Sequence, residues 1–384
     1  MRIFSNKDEI HTLCFDDSVV VYQNEEEEKS GAERFLNFIV NTLPSSNSLT
    51  KIKKFSLRHQ SRVPLENDFS RLVYGWIWNA MKQGGLLELH LECSRDQFDI
   101  DRVLLTSNTL VKLTLSGNYN FGEDVESLFF PALKSLSILS VSGLGFEEYS
   151  RLVNGCPVLE ELFITEDDGG DDNDWPYVPS WSTSVESASI RRLVISNDLP
   201  YNDSSKEYYD ETYFKAPSLV YLDYSSVVFE DYKVVDLVSL VEVKLDLRLW
   251  VSKKMFGDVT KLVAGISNVR TLHLSPDSLE VFHFCCKSMP VFNNLLSLSI
   301  QSSKEKSWQV MPLLLSSCPN LQTLALKGLL HRVTNKCGDA CACIPTKKRC
   351  ACIHKKKKRK TCCLWTCQVK VLEISEYGGS FQEL

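Results

Sequence analysis

Apolar positions along the chain recur in a fixed phrase. Residues 156–165 read CPVLEELFIT and residues 318–328 read CPNLQTLALKG. Both contain L-x-x-L-x-L, in which Ile, Val, Phe or Tyr can replace a leucine. The first apolar position of this template falls at Ile10, Ile52, Leu86, Leu110, Leu133, Leu159, Ile190, Leu219, Leu240, Val269, Leu295, Leu321 and Val369. From Leu86 to Leu321 the spacings are 24, 23, 26, 31, 29, 21, 29, 26 and 26 residues.

A steady interval of about 20–29 residues with this template marks leucine-rich repeats. Side chains alternate along a strand, so the fourth and sixth template positions point to one side and the residues between them to the other. One repeat cannot bury its own leucines, so successive repeats must stack and share a core. The expected fold is α/β, a leucine-rich-repeat solenoid (horseshoe) with a parallel sheet on the concave side and helices on the convex side.

Helical spacing appears between the predicted strands. Residues 69–83 place Leu72, Val73, Trp76, Ile77, Ala80 and Met81 on one face, and Gly84–Gly85 suit a stop. In EEYSRLVNGCP, Leu152 and Val153 pack, Gly155 ends the helix and Pro157 forbids continuation. Residues 259–267 and 308–319 repeat the arrangement. The CP-x-L-x-x-L phrase therefore marks the turn from a helix into the next strand, with Cys156 and Cys318 as small buried packing residues.

Composition narrows the partners. With 384 residues and 43% hydrophobic content, the chain can build a large core. The net charge is −6, but residues 344–360 carry nine Lys and Arg and no acid, which leaves −15 elsewhere. An acidic body repels phosphate backbones, so nucleic acid is not expected as a partner. MRIFSNKDEIHTL has charges where a signal peptide needs an apolar run, and no 18-residue apolar stretch predicts a membrane span. Of the 14 cysteines, eight fall in 337–367. Reduced thiols in a cytoplasmic or nuclear protein are the expectation.

Two stretches interrupt the array. EDDGGDDNDW (166–175) reads as a solvated loop. A divalent-cation site is the alternative, although Val178 stands where an EF-hand loop beginning at Asp167 would need its terminal Glu. Residues 197–217 are polar and turn-rich and read as an exposed inter-repeat loop. A basic, Cys-rich insert, 336–367, has three readings: a flexible surface insert, a nuclear-import signal at KKKKRK (355–360), or a zinc site. Cys337, Cys341, Cys343, Cys350, Cys352 and His354 are suitable zinc ligand types, but C-x-C spacing suits one tetrahedral ion less well than wider spacing.

No catalytic constellation is present in the sequence. H-E-x-x-H, G-x-S-x-G and the P-loop are absent, and GLGFEE (143–148) lacks the third glycine of a dinucleotide loop. No cofactor and no metal is expected. Binding, if it occurs, belongs to the concave face of the sheet, at the outward strand positions. Alternation places Arg58, His90, Lys112, Phe163, Arg192, Tyr221, Lys244, His273 and Lys327 there, beside Glu88, Glu92, Asp223 and Glu242. This mixture of signs suits a protein substrate better than a polyanion.

Taken together, GCPVLEELFI, APSLVYLDYSS, SSCPNLQTLALKG, VTNKCGDACACI and QVKVLEISEYGG resemble the plant F-box/FBD/leucine-rich-repeat family. The FBD-like part comprises the CPNLQTLALKG strand, a turn with Cys337, Gly338, Asp339 and Cys341, and the closing VKVLEI. The resemblance implies three regions: an N-terminal cap region at 1–48, leucine-rich repeats at 49–308, and an FBD-like region at 309–384. MRIFSNKDEIHTLCFDDSVVV looks like the piece that follows an F-box, so the F-box itself is expected to be absent. In the family the F-box docks on the adaptor of an SCF-type ubiquitin ligase and the repeats choose the substrate. The resemblance thus implies a non-enzymatic substrate-binding module. The alternative is a truncated scaffold or dominant-negative binder that recruits no ligase.

Overall fold

The computed structural model describes residues 12–18, 23–42, 52–59, 75–81, 85–99, 106–120, 128–142, 144, 146–166, 184–197, 211–229, 231–249, 257–302, 310–328 and 368–376. They fall into two compact units, one within Met1–Gly169 and the other within Thr183–Leu384. The acidic stretch 167–175 and the insert 336–367 lie outside the described residues, as do Ile10, Leu72 and Val73.

The first unit is a parallel sheet of consecutive strands: β1 (Thr12–Asp16), β2 (Lys54–His59), β3 (Glu88–Asp99), β4 (Lys112–Asn120), β5 (Ser135–Ser142) and β6 (Glu161–Glu166). The register repeats from strand to strand. Phe55 lies beside Leu89, Leu89 beside Leu113, Leu113 beside Leu136, and Leu136 beside Leu162. Each is buried, as are Leu57, Leu91, Leu115, Ile138 and Ile164 two residues on. Burying a side chain of this size stabilises by roughly 1.5–3 kcal/mol.

Helices cover the inner side of this sheet. In α1 (Glu25–Thr42), Asn24 accepts the Glu27 N–H at 2.9 Å, an N-terminal cap. Phe38 meets Phe15 edge-on at 6.3 Å, and Phe35 stacks on His59 at 5.8 Å. His59 and Asp17 form a buried pair through Nδ1 and Oδ2. In α2 (75–81), Trp76, Ile77, Ala80 and Met81 are buried as the spacing predicted, and Trp76 packs on Phe55 at 4.9 Å. In α3 (Phe146–Asn154), Tyr149, Leu152 and Val153 face the core.

The second unit has two sheets. The larger one is parallel and contains β8 (Arg192–Asn197), β10 (Tyr221–Val227), β12 (Glu242–Arg248), β13 (Thr271–Leu274), β14 (Ser297–Gln301), β15 (Thr323–Lys327) and β16 (Val371–Ser375). The smaller one, also parallel, runs β11 (Asp231–Asp236), β9 (Glu211–Lys215), β7 (Val185–Glu186). It corrects the expectation of a loop across 197–217. Glu211–Lys215 is a strand whose Thr212 and Phe214 are buried. Short strands take the place of helices behind β8, β10 and β12. Farther along, helices return: α4 (Thr260–Gly265), α5 (Pro276–Cys285) and α6 (Met311–Ser316).

The repeating phrase has a repeating bond pattern. The first template residue donates its N–H three residues back, as in Leu133 to Phe130, Leu159 to Cys156, Leu219 to Ala216 and Leu321 to Cys318. The next two N–H groups then share one carbonyl of the preceding repeat. Lys134 and Ser135 use that of Val111, Val241 and Glu242 that of Val220, and Gln322 and Thr323 that of Leu296. The first template residues from Leu86 to Leu321 are all buried. Cys156 donates its thiol to the Leu152 carbonyl and Cys318 to that of Leu314, both at 3.1 Å. The two CP phrases thus end two helices in the same way. Burial pushes the Cys156 thiol up to about 12, so it stays protonated and inert.

One set of template positions departs from the pattern. Leu372 and Ile374 continue the inner rows of Leu324 and Leu326 by register, yet they are 53% and 46% exposed. β16 is the last strand of its sheet, so no described repeat stacks against it.

Candidate functional site

The outward positions form continuous rows because the register carries no offset from strand to strand. In the first unit one row runs Lys54, Glu88, Lys112, Ser135, Glu161. A second runs Cys14, Ser56, His90, Thr114, Ser137, Phe163, and a third Asp16, Arg58, Glu92, Ser116. Charges alternate along the first and third rows and pair across strands. Lys54 meets Glu88 at 3.0 Å, and Arg58 meets Glu92 at 2.6 Å. His90 reaches the same Glu92 oxygen at 3.3 Å.

The Lys54–Glu88 pair is half exposed on both sides, so it contributes about 0–1 kcal/mol, whereas the Glu92 side chain is largely buried. The pairs do set protonation. The hydrogen bond to Glu92 raises Arg58 further above its ordinary value. Burial alone would raise Asp16, but hydrogen bonds from Ser18 and the charge of Arg58 hold its carboxyl below the usual value. Arg58 and His90 are therefore brought together through Glu92. Lys112 stands exposed in register with Glu88, and Phe163 is half-buried beside Ser137. Thr114, on the same face, is buried between its neighbours.

The second unit carries a tighter cluster. The Arg192 guanidinium lies 4.0 Å from the centre of the Tyr221 ring, and the Lys244 ammonium 5.5 Å from it. All three come from adjacent strands, β8, β10 and β12. The Tyr221 hydroxyl donates to Asp223 at 3.1 Å, and Lys244 lies 3.8 Å from the same carboxylate. The Tyr221 hydroxyl, then Asp223 and Glu242, hold Lys244 above its ordinary value. His273 sits beside Lys244 in register and reaches Glu242 at 3.6 Å. Burial lowers the His273 imidazole, although Glu242 pulls the other way. Beyond it the face turns to small groups, with Thr271, Ser297 and Thr323 in one row and Ser299 and Ala325 in the next. Lys327 stands apart from the cluster and pairs with Glu376 at 3.2 Å.

Such a face can grip another molecule, because an aromatic ring held between two cations presents a rigid, partly desolvated contact. Among the described residues no group of three or more His, Cys, Asp or Glu could hold a metal ion, and no helix is long and apolar enough to cross a membrane.

Similarity supplies the family. No protein-family model matches the chain. It is 53% identical over 410 residues to an F-box/LRR-repeat protein of Arabidopsis thaliana, covering 98% of this chain and 80% of that relative. It is 45% identical over 390 residues to a putative F-box protein of the same plant, with 95% and 80% covered. The chain belongs to the plant F-box/LRR-repeat family. A third Arabidopsis relative, an F-box protein, is 40% identical over 398 residues, with 98% and 80% covered. The repeating parallel strands of each unit are those of a leucine-rich-repeat fold.

Some members of this F-box/LRR-repeat face escape a reading of the template. Asp16 belongs to it, and the template beginning at Ile10 would have pointed there. Arg248 reaches past β10 to the Asn197 carbonyl. The buried Asp17–His59 pair joins residues 42 apart, and no local spacing announces it.

Proposed function

We propose that the chain is a non-enzymatic protein-recognition module and that it binds a protein substrate on the outer face of its repeat strands. The supporting observation is the Arg192–Tyr221–Lys244 stack, an aromatic ring flanked by two cations at a half-buried outward position of β10. His273 and Lys327 are further contacts of the second unit, and Arg58, His90, Lys112 and Phe163 are those of the first unit, taken by itself. The self-paired charges in the first unit favour a partner of mixed charge over a polyanion. Family membership supports a place among substrate receptors of SCF-type ubiquitin ligases, in a cytoplasmic or nuclear setting.

The test is affinity capture from plant extract with the full chain and with an Arg192→Ala/Tyr221→Ala/Lys244→Ala variant of unchanged thermal midpoint. The expected result is a protein captured by the first and lost by the second. Equal capture by both would overturn the assignment of the face. Overexpression then separates two roles: the level of the captured protein falls for a ligase receptor, whereas a binder without ligase recruitment raises it.

A further inference from the structure

Cations on the outer strand face of the second unit are answered almost one by one. Lys244 lies 3.8 Å from Asp223, which also accepts from the Tyr221 hydroxyl at 3.1 Å. His273 meets Glu242 at 3.6 Å, and Lys327 meets Glu376 at 3.2 Å. Arg248 donates to the Asn197 carbonyl. Arg192 is the exception. Among the described residues it has no carboxylate or carbonyl partner, and its contact is with the Tyr221 ring, 4.0 Å from the guanidinium.

The ring fixes this guanidinium without consuming its donors. It attracts the cation through its π face, so the five N–H groups of the fork keep their hydrogen-bonding capacity. Arg192 is half-buried, and a long side chain ordered before binding loses less entropy on contact. A planar fork with open donors matches a carboxylate through two parallel hydrogen bonds, which an ammonium cannot do. The neighbouring acids limit how much negative charge fits. Asp223 stands two residues past Tyr221 on β10, and Glu242 lies opposite Tyr221 on β12. One carboxylate answers Arg192, whereas a phosphate dianion or a run of acids would be repelled by those two groups.

We propose that Arg192 receives the side-chain carboxylate of one aspartate or glutamate of the protein partner, with the Tyr221 ring as its platform. The inference rests on the proposed use of this face and adds the chemistry of the residue that occupies it.

Selection from a phage-displayed library of random-sequence peptides, with the full chain as bait, tests this assignment. Each variant is first checked for an unchanged thermal midpoint. The unaltered chain should enrich peptides that share an acidic residue. Arg192→Ala should lose that preference, and Arg192→Glu should replace it with a shared Lys or Arg. For a synthetic peptide of the enriched sequence, Arg192→Ala should weaken binding about 10- to 100-fold. Changing the acid of the peptide to its amide should weaken it by a similar factor, and the two changes together should weaken it no further. Multiplied losses would overturn the proposal. Identical enrichment by the unaltered chain and Arg192→Ala, with loss in Arg192→Ala/Tyr221→Ala/Lys244→Ala, would overturn the carboxylate assignment and leave the face standing. Equal enrichment by that triple variant, or no enrichment by the unaltered chain, would overturn both.

Discussion

The two units build the same strand phrase on different backing. The first lays helices on its sheet and fills the gap with Phe15, Phe55, Trp76 and leucines. The second begins with a three-stranded sheet behind β8, β10 and β12 and buries hydroxyls there. Their outer faces differ as well. Charges in the first unit are spent on one another across strands, whereas the second concentrates cations around one ring. The difference teaches that the repeat template dictates which side a residue faces and leaves both the backing and the face free to vary.

The largest expected effect tests the template itself. Leu162→Ala on β6 removes a fully buried side chain and should cost about 2–5 kcal/mol in chemical denaturation. Glu161→Ala, one residue earlier and facing out, should stay within about 0.5 kcal/mol. Leu372→Ala in the second unit, at the same template position as Leu162, should also be mild, because β16 leaves that residue exposed. Similar costs at Leu162 and Leu372 would erase the contrast between a stacked repeat and a terminal one.

Next in size are two glycines. A Cβ on Gly155 would stand 2.3 Å from the Leu128 carbonyl oxygen, and backbone cannot move aside cheaply. Gly155→Ala should cost about 1–3 kcal/mol. A Cβ on Gly265 would meet a Val235 methyl at 2.2 Å. Gly265→Ala should therefore be rescued in part by Val235→Ala, and the melting temperatures of the two single variants and the double variant check this.

A smaller effect should appear at alkaline pH. Burial raises Cys156 to about 12 in the first unit. In the second unit it raises Cys285 to about 11 and Tyr224 to about 12, and it raises Tyr232 as well. Each group loses its proton more readily when unfolded. The stability it supports is therefore full below its ordinary value, about 9 for the thiols and 10 for the phenols, and is lost as pH rises toward the folded value. Hydrogen exchange followed from pH 8 upward, about a unit below the ordinary thiol value, should show the second unit loosening first. Cys156→Ala should flatten the response of the first unit alone.

Much of this was legible in the sequence because the template is local. The buried first positions from Leu86 to Leu321, the alternation of Arg192, Tyr221 and Lys244 with leucines, and the helix faces of α2 and α3 follow from residues within one repeat. What escaped is non-local. Thr212 and Phe214 alternate as a strand should, but their polar surroundings resemble a loop, and only pairing with Asp231–Asp236 makes them a sheet. Tyr224 is readable as inward, yet its neighbour Tyr232 comes from another element. The exposure of Leu372 follows from β16 being the last strand, which the template cannot signal.

Adjacent residues on β10 offer the most direct trial of the account. Leu222→Ala and Tyr221→Ala can be compared for thermal midpoint and for capture of the proposed protein partner. Leu222 is fully buried and Tyr221 faces out. The account predicts a large fall in midpoint for Leu222→Ala, and for Tyr221→Ala a loss of capture with the midpoint nearly unchanged. Equal falls in midpoint, or full capture by Tyr221→Ala, would contradict it.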